Sequence, residues 1–267
     1  MTTGVLTDLE VAHRLADAAA AAILPHFRTS GLVADNKSRS GFDPVTLADR
    51  DAEEAMRAIL RAHRPDDGVL GEELGHHRGS SGRHWVLDPI DGTRGFISGT
   101  PTWGVLIALG EEGGGPVLGL IDQPYIRERF WGDAHGAFLS GPSGTGPIAT
   151  RDPRDLSEAF LFTTFPEVGR NADRKGFEAV ARMVRLVRYG MDCYAYALLA
   201  AGQIDLVIEA GLAPYDIQAP IGLIEAAGGL VTDWHGQPAH AGGQVLAAAN
   251  ARVHAQALAL LRPFASA

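Results

Sequence analysis

The sequence predicts an α+β protein in which two helices and an antiparallel sheet precede a unit of alternating strands and helices. Apolar residues at helical spacing mark residues 5–28 and 46–63, and short apolar runs separated by Gly/Pro turns follow them. After about residue 150, strand-like and helix-like stretches alternate. We therefore divide the chain into an N-terminal half, 1–150, and a C-terminal half, 151–267.

The first half begins with two amphipathic helices joined by the polar segment 29–44, which contains Lys37 and to which we assign no role. Pro25 kinks or ends the first helix, because proline cannot donate a backbone hydrogen bond. Thr46 followed by Asp49 resembles a capping box that begins the second helix. The strands expected after a short one near 68 are 84–88, 102–110, 115–124 and 128–140, and residues 141–147 are expected to form a surface loop.

The second half is expected to alternate strands with helices. The predicted strands are 159–165, 185–189, 204–210, 230–234 and 244–249. The predicted helices are 173–184, 193–202, 216–229 and a C-terminal helix.

Composition excludes several classes of protein. The chain has 267 residues, of which 46% are hydrophobic and 21% charged, as in ordinary globular proteins. No apolar run approaches about 18 residues, so we predict no membrane span, and no basic region of a signal peptide precedes the first helix. The single cysteine, Cys193, excludes an intrachain disulfide. We expect a cytoplasmic protein. The net charge of −9 argues against a protein that binds nucleic acid by neutralising its phosphates.

The stretch "WVLDPIDGTRGF" places two acidic residues, Asp88 and Asp91, at the end of an apolar strand. Two neighbouring carboxylates repel each other unless they share a proton or a cation neutralises both. Because no histidine or cysteine is near and the 10 histidines show no HExxH spacing, the hard cations Mg²⁺ or Mn²⁺ are favoured. A purely structural alternative makes Asp88 a strand-end turn residue and Asp91 an Asx-turn before a helix.

The residues after the aspartates favour phosphate. Gly92 and Thr93 stand where a helix can begin, and the backbone N–H groups at such a point bind anions. Three further acids complete an ordered set: Glu72 in "LGEELG", Asp49, and Asp216 in "APYDIQAP". Each also has a structural interpretation as a solvated loop or a charge in the first turn of a helix. Together the acids indicate metal-assisted phosphoryl transfer.

These motifs resemble the inositol-monophosphatase-like family of Mg²⁺-dependent, lithium-sensitive phosphatases, over about residues 8 to 262. "WVLDPIDGTRGF" is similar to the family's first signature, and "PYDIQAPIGLIEAAGG" is similar to its second. The resemblance implies a layered αβαβα sandwich of the inositol monophosphatase/fructose bisphosphatase type, commonly a homodimer. It also implies two or three Mg²⁺ ions, with Mn²⁺ possible in their place, and a small phosphomonoester substrate hydrolysed by a metal-activated water.

The resemblance also implies a role for each matched residue. The implied metal ligands are Glu72, Asp88, the carbonyl of Ile90, Asp91 and Asp216. Asp49 and Thr93, with Glu72, would orient and activate the water, and Gly92 and Thr93 would contact the phosphate. Two rival hydrolase classes do not fit: the gap between the aspartates is too long for the D-x-D-G-T pattern of haloacid-dehalogenase-like enzymes, and no G-x-S-x-G elbow is present.

The substrate is suggested by three local features. Gly95 in the phosphate turn, Trp103, and the tyrosine-rich stretch 188–216 are most similar to the bacterial histidinol-phosphate phosphatase branch. Asp192, Glu209 and Arg188 are the implied substrate-binding residues, although Asp192 also suits a helix N-cap, Arg188 a surface position and Trp103 a core aromatic. The alternatives are an inositol-1-phosphate phosphatase, a broad sugar or nucleotide phosphate phosphatase, and a non-enzymatic partner of RNA or a transcription complex.

Overall fold

The computed structural model describes residues 6–30, 34–36, 44–111, 113–152, 155–165 and 167–266. Lys37 and most of the segment 29–44 lie outside the described residues. The helices of the described part are α1 Asp8–Ile23, α2 Leu47–His63, α3 Thr93–Ser98, α4 Asn171–Ala181, α5 Cys193–Ala200, α6 Pro214–Ala226 and α7 Ala251–Leu261. None of these helices is long and apolar enough to cross a bilayer.

The strands form a two-stranded, an eight-stranded and a five-stranded sheet. The small sheet pairs β1 Ala34–Asn36 with β2 Pro44–Thr46. The strands of the eight-stranded sheet are β3 Gly68–Gly71, β4 Gly75–His77, β5 Arg83–Asp91, β6 Gly104–Glu111, β7 Pro116–Gln123, β8 Glu128–Asp133, β9 Gly136–Gly141 and β10 Gly144–Ile148. The strands of the five-stranded sheet are β11 Phe160–Thr163, β12 Leu186–Tyr189, β13 Leu206–Leu212, β14 Leu230–Thr232 and β15 Gly243–Ala248.

The two N-terminal helices begin with side-chain caps. The Thr7 hydroxyl caps α1 and Glu10 bonds back to the Thr7 backbone, and Thr46 and Asp49 form the same reciprocal pair at α2. The predicted capping box of α2 is therefore confirmed. The first helix is shorter than the predicted 5–28, since it ends at Ile23, before Pro25.

The eight-stranded sheet has the order β10-β9-β8-β7-β6-β5-β3-β4. The predicted meander is present from β5 to β9, with antiparallel neighbours throughout, whereas β3 runs parallel to β5. The predicted single strand 128–140 is two strands, β8 and β9. The predicted loop 141–147 is wrong, because β10 pairs with β9 through its backbone and so needs no apolar side chains.

The five-stranded sheet has the order β12-β11-β13-β15-β14 and is mixed. Its central strand, β13, runs parallel to β11 and antiparallel to β15. Helices α4 and α7 pack on one face, and α5 and α6 fill the space between this sheet and the eight-stranded one. With α1 and α2 on the outer face of the eight-stranded sheet, the layers form an αβαβα sandwich. The fold class expected from the resemblance is confirmed.

Glycines permit the closest contact between α6 and the eight-stranded sheet. A Cβ on Gly119 of β7 would lie 2.1 Å from the Ala219 carbonyl oxygen of α6, and one on Gly132 of β8 would lie 2.8 Å from the Gly222 carbonyl oxygen. Larger side chains would push the helix away from the sheet. Helix α6 comes from the second half of the chain and packs on the first half, so the two halves share a contact at this point. The division of the chain at residue 150 stays a prediction.

Candidate active site

Asp88 and Asp91 reach the same side of the sheet because β5 carries a bulge. Asp88 pairs with Leu106 and Asp91 with Gly104, so three steps along β5 match two steps along β6. Residues three apart in an uninterrupted strand point to opposite faces, whereas the extra residue returns Asp91 to the face of Asp88. Both carboxylates therefore face the layer of α5 and α6.

Helix α6 brings Asp216 to these aspartates. Asp216 lies in the first turn of α6, where its Oδ2 accepts a 2.7 Å hydrogen bond from the Ala213 backbone N–H. Carboxylate oxygens of Asp88, Asp91 and Asp216 all lie within 4.8 Å of one another. A set made only of carboxylate oxygens fits a hard divalent cation such as Mg²⁺ or Mn²⁺.

Glu72 joins this group from the neighbouring strand. It directly follows β3, and its backbone N–H donates to the Leu87 carbonyl oxygen of β5 at 3.2 Å. Its carboxylate is close enough to Asp88 to raise the pKa of that residue. Since β3 and β5 are parallel neighbours, the end of β3 places Glu72 next to the end of β5.

The carboxylates of the cluster shift one another's pKa. Burial and the carboxylates of Glu72, Asp91 and Asp216 raise the pKa of Asp88 well above its ordinary value. Burial and the carboxylates of Asp192 and Asp216 raise the pKa of Asp91 in the same way, although the Cys193 backbone N–H donates to its Oδ2 at 2.6 Å. Positive charge at this point would stabilise the ionised forms of both groups, so the donor set fits the implied metal.

Asp49 and Thr93 lie on elements that are neighbours in space. Asp49 is fully buried, and its Oδ2 accepts hydrogen bonds from the Thr46 backbone N–H at 2.7 Å and the Thr46 hydroxyl at 2.6 Å. Thr93 begins α3, which contacts β2, the strand that ends at Thr46. The Thr93 hydroxyl donates to the Ile90 carbonyl oxygen at 3.1 Å. The implied roles of Ile90, Asp49 and Thr93 stay predictions.

Gly92 forms the turn between β5 and α3. Its φ of 83° lies in the left-handed region that favours glycine, and a Cβ there would lie 2.9 Å from the Asp192 side chain. Asp192 therefore borders the predicted phosphate turn directly. Burial raises the pKa of Asp192, and the hydrogen bond from Thr102 and the charge of Arg94 offset only part of this rise. Arg94, which sequence reasoning did not select, also lies over the Phe165 ring at 4.8 Å.

Asp192 occupies the N-cap position of α5, but its side chain makes no capping hydrogen bond. Instead its Oδ2 accepts a hydrogen bond from the Thr102 hydroxyl at 3.2 Å. Its backbone adopts φ 46°, ψ −140°, which is unfavourable for a residue with a side chain. The alternative role as a side-chain cap is therefore wrong, and the carboxylate is directed to the Gly92 turn.

Glu209 is buried on β13, 8% exposed, beside a register shift between Glu209 and Leu212. Its Oε1 accepts a 2.6 Å hydrogen bond from the Thr164 backbone N–H. Burial raises the pKa of Glu209 to about 7, partly offset by the bond from Thr164. Nearby, the buried Tyr196 hydroxyl of α5 has no hydrogen-bond partner in the described part of the chain, and burial and Glu209 raise its pKa well above the ordinary value.

The structure also shows the surroundings of Arg188, Trp103 and Tyr194. Arg188 is exposed on the edge strand β12. Trp103 is 1% exposed and packs edge-on against Phe27 and Phe96, so it is a core aromatic. The Tyr194 hydroxyl donates to Glu128 at 2.7 Å.

Sequence reasoning missed Glu53 and Arg57, two buried charged residues of α2. Both lie behind residues 72–74, the turn between β3 and β4, which we call the Glu72 turn. Their spacing from Asp49, four and eight residues along one helix face, is the signal that could have found them.

The chain is similar to several known phosphatases. It is 45% identical over 230 residues to the bifunctional phosphatase IMPL2 of Arabidopsis thaliana chloroplasts; the match covers 85% of the chain and 64% of that longer protein. It is 38% identical over 263 residues to the histidinol-phosphatase of Streptomyces coelicolor, covering 96% and 97% of the two chains. An inositol monophosphatase structure from Zymomonas mobilis superposes with a TM-score of 0.84 at 43% identity, covering 95% and 97% of the chains.

The family model named "Inositol monophosphatase family" matches residues 6–265, nearly the whole chain. This match spans every element that carries the carboxylate cluster, from α2 to α6. The chain therefore belongs to the inositol monophosphatase family.

Proposed function

We propose that this chain is a Mg²⁺-dependent phosphomonoesterase that hydrolyses L-histidinol phosphate to L-histidinol and phosphate. The observation that carries the proposal is the convergence of Asp88, Asp91 and Asp216 within 4.8 Å, beside Glu72. Divalent cations held there would supply positive charge for the phosphate oxygens and would acidify the attacking water.

The chain's own residues then orient the reactants. Asp49, fixed through Oδ2 by Thr46, and Thr93 orient the attacking water, and the Asp49 carboxylate takes up its proton. The departing alkoxide of the substrate takes a proton from solvent water. The backbone N–H groups of Gly92 and Thr93 donate to the phosphate.

The substrate part of the proposal rests on the carboxylates that are not implied metal ligands. Asp192 borders Gly92, and Glu209 raises the pKa of Tyr196 together with Asp91 and Asp216, so both belong to the same acidic neighbourhood. Histidinol phosphate carries an ammonium group, which such carboxylates attract. The similarity to the Streptomyces coelicolor histidinol-phosphatase over the full length supports this choice.

Inositol 1-phosphate is the second candidate substrate. It is supported by the similarity to the Zymomonas mobilis inositol monophosphatase. Its hydroxyls would use Glu209 as a hydrogen-bond acceptor and would gain little from the charge of Asp192.

Phosphate release from L-histidinol phosphate and from myo-inositol 1-phosphate, each with Mg²⁺ and with EDTA, tests the proposal. We expect Mg²⁺-dependent release and a higher kcat/KM for histidinol phosphate. The neutral variant Asp192→Asn should lower kcat/KM for histidinol phosphate more than for inositol phosphate. A preference for inositol phosphate would refute the substrate, and release of phosphate unaffected by EDTA would refute the metal. Homodimer formation, lithium sensitivity and a cytoplasmic location stay predictions.

A further inference from the structure

A second buried carboxylate lies directly behind Glu72. Glu53 of α2 is fully buried and accepts three hydrogen bonds. The backbone N–H of Glu73 donates to its Oε2 at 2.7 Å, and that of Leu74 donates to its Oε1 at 3.2 Å. Arg57 donates from Nε to the same Oε1 at 2.8 Å. The carboxylate thus binds the two residues that follow Glu72.

Arg57 fastens the other end of the same turn. Its side chain is nearly buried, and its Nη2 donates to the Gly75 carbonyl oxygen. The Glu53–Arg57 pair therefore binds the backbone of residues 73–75 at three points, while the Glu72 N–H is bound to Leu87 of β5. The backbone on both sides of Glu72 is consequently fixed, on one side to the sheet and on the other to α2.

Gly71, immediately before Glu72, is shaped to this pair. A Cβ on Gly71 would lie 1.9 Å from Glu53 Oε1 and 2.3 Å from its carboxyl carbon. The carboxylate cannot move aside without breaking its bonds to Glu73 and Leu74, because it is buried and hydrogen-bonded on both oxygens. The glycine of the "GEE" sequence is therefore explained by the Glu53 carboxylate, which leaves no room for a side chain at Gly71.

The same helix carries Asp49. Asp49, Glu53 and Arg57 are four residues apart, so their side chains lie along one face of α2. All three are buried, α2 packs against β5, and Glu53 and Arg57 bond the turn that follows β3. A single rigid helix thus fixes the position of Asp49 and that of the Glu72 turn relative to each other.

We propose that the Glu53–Arg57 pair is a positioning element of the metal centre, which holds Glu72 where its carboxylate meets Asp88; this inference rests on the proposed function, in which Glu72 is a metal ligand. A buried ion pair is a poor source of stability, since apolar residues of similar volume often stabilise a fold as well or better. Its hydrogen bonds to the Glu72 turn give it a different use, because groups that hold a ligand in place govern metal affinity.

Mn²⁺ binding to the full chain, measured by isothermal titration calorimetry, tests the inference without relying on turnover. The variant Glu53→Gln keeps the size of the side chain but replaces one acceptor oxygen with a donor. We expect it to weaken Mn²⁺ binding by about 10–100-fold. The matched control is Glu54→Gln, which neutralises the next residue of α2 in an exposed pair with Arg61 and should leave Mn²⁺ affinity unchanged.

A double-mutant cycle separates positioning from a general loss of stability. If Glu53 acts through Glu72, then Glu53→Gln should weaken Mn²⁺ binding little further in a Glu72→Gln background. Full additivity, or an unchanged Mn²⁺ affinity in folded Glu53→Gln while Glu72→Gln binds weakly, would overturn the positioning role and leave the proposed function intact. An unchanged Mn²⁺ affinity in Glu72→Gln would instead show that Glu72 is not a metal ligand. That result would contradict the ligand set of the proposed function as well as the positioning role of Glu53.

Arg57→Lys keeps the test decisive if Glu53→Gln does not fold. Lysine retains the positive charge next to Glu53 but lacks the planar fork that bonds Glu53 and the Gly75 carbonyl together. We expect weaker Mn²⁺ binding in this variant with its circular dichroism spectrum unchanged. Wild-type Mn²⁺ affinity in folded Arg57→Lys would overturn the inference.

Discussion

Replacing Glu209 by glutamine should remove a pH-dependent loss of stability from the metal-free protein. Burial raises the pKa of Glu209 from its ordinary value of 4.5 to about 7. Between these values the native state binds more protons than the unfolded state, so stability falls as pH rises. A rise to about 7 corresponds to about 3 kcal/mol, because each pH unit is worth about 1.4 kcal/mol. The loss is absent below about pH 4.5 and complete above about pH 7.

Glutamine suits this test because it preserves the local contact. Its amide oxygen can accept the hydrogen bond that the Thr164 N–H donates to Oε1 of Glu209. All other titrating groups are common to both proteins and cancel in the difference. The free energies of unfolding would be measured with urea in EDTA at several pH values from 4.5 to 8. Glu54→Gln, an exposed substitution on α2, is the control and should follow the wild type.

We expect the difference in unfolding free energy between Glu209→Gln and the wild type to grow by about 3 kcal/mol in favour of the variant across this range. Parallel curves for the two proteins would refute the reasoning, because they would show that Glu209 titrates at its ordinary pKa in the fold. A difference that grows as pH falls would show that the native state stabilises the ionised form.

Three other substitutions test other parts of the structure. Asp88→Asn should abolish Mg²⁺-dependent phosphate release while the circular dichroism spectrum stays native, and an active variant would contradict the metal assignment. Asp205→Ala removes a fully buried carboxylate that pairs with Arg151 and accepts a 2.6 Å hydrogen bond from the Phe160 N–H. Urea unfolding should show a free energy of unfolding lower by about 3 kcal/mol. A decrease of less than about 1 kcal/mol would contradict the importance of this buried pair. Gly119→Ala should push α6, and with it Asp216, away from the sheet. We therefore expect the free energy of unfolding to fall by about 1–3 kcal/mol and Mn²⁺ binding to weaken. If neither value changes, α6 adapts to the added methyl group without cost.

Local patterns predicted those parts of the fold that depend on neighbouring residues. The helical spacing and the Thr46/Asp49 capping box located α2 within one residue, because both act within a single turn. The prediction of a loop at 141–147 was wrong because the strand in this region depends on pairing with another strand and not on a local side-chain pattern. The pairing of β10 with β9 depends on the backbone of the edge strand, which the side chains of 144–148 do not reveal.

The site divides along the same line. The identity of the acids and their order along the chain predicted a metal-dependent phosphatase, because carboxylates without histidine or cysteine favour hard cations. The spacing of Asp88 and Asp91 alone would place them on opposite faces of a strand, and only the bulge in β5 returns them to one side. The local sequence also suggested that the Asp192 side chain caps α5. In the fold that side chain instead contacts Thr102 and Gly92, which are distant in sequence.

The sequence by itself determined the family, the chemical type of the site and the positions of its acids along the chain. The tertiary structure alone decided that Asp216 meets Asp88 and Asp91, since this depends on the packing of α6 against Gly119 and Gly132. It also decided that Glu53 and Arg57 stand behind Glu72. Helical and strand periodicity acts over a few residues, whereas the distance between two carboxylates on different elements is set by how closely their backbones pack.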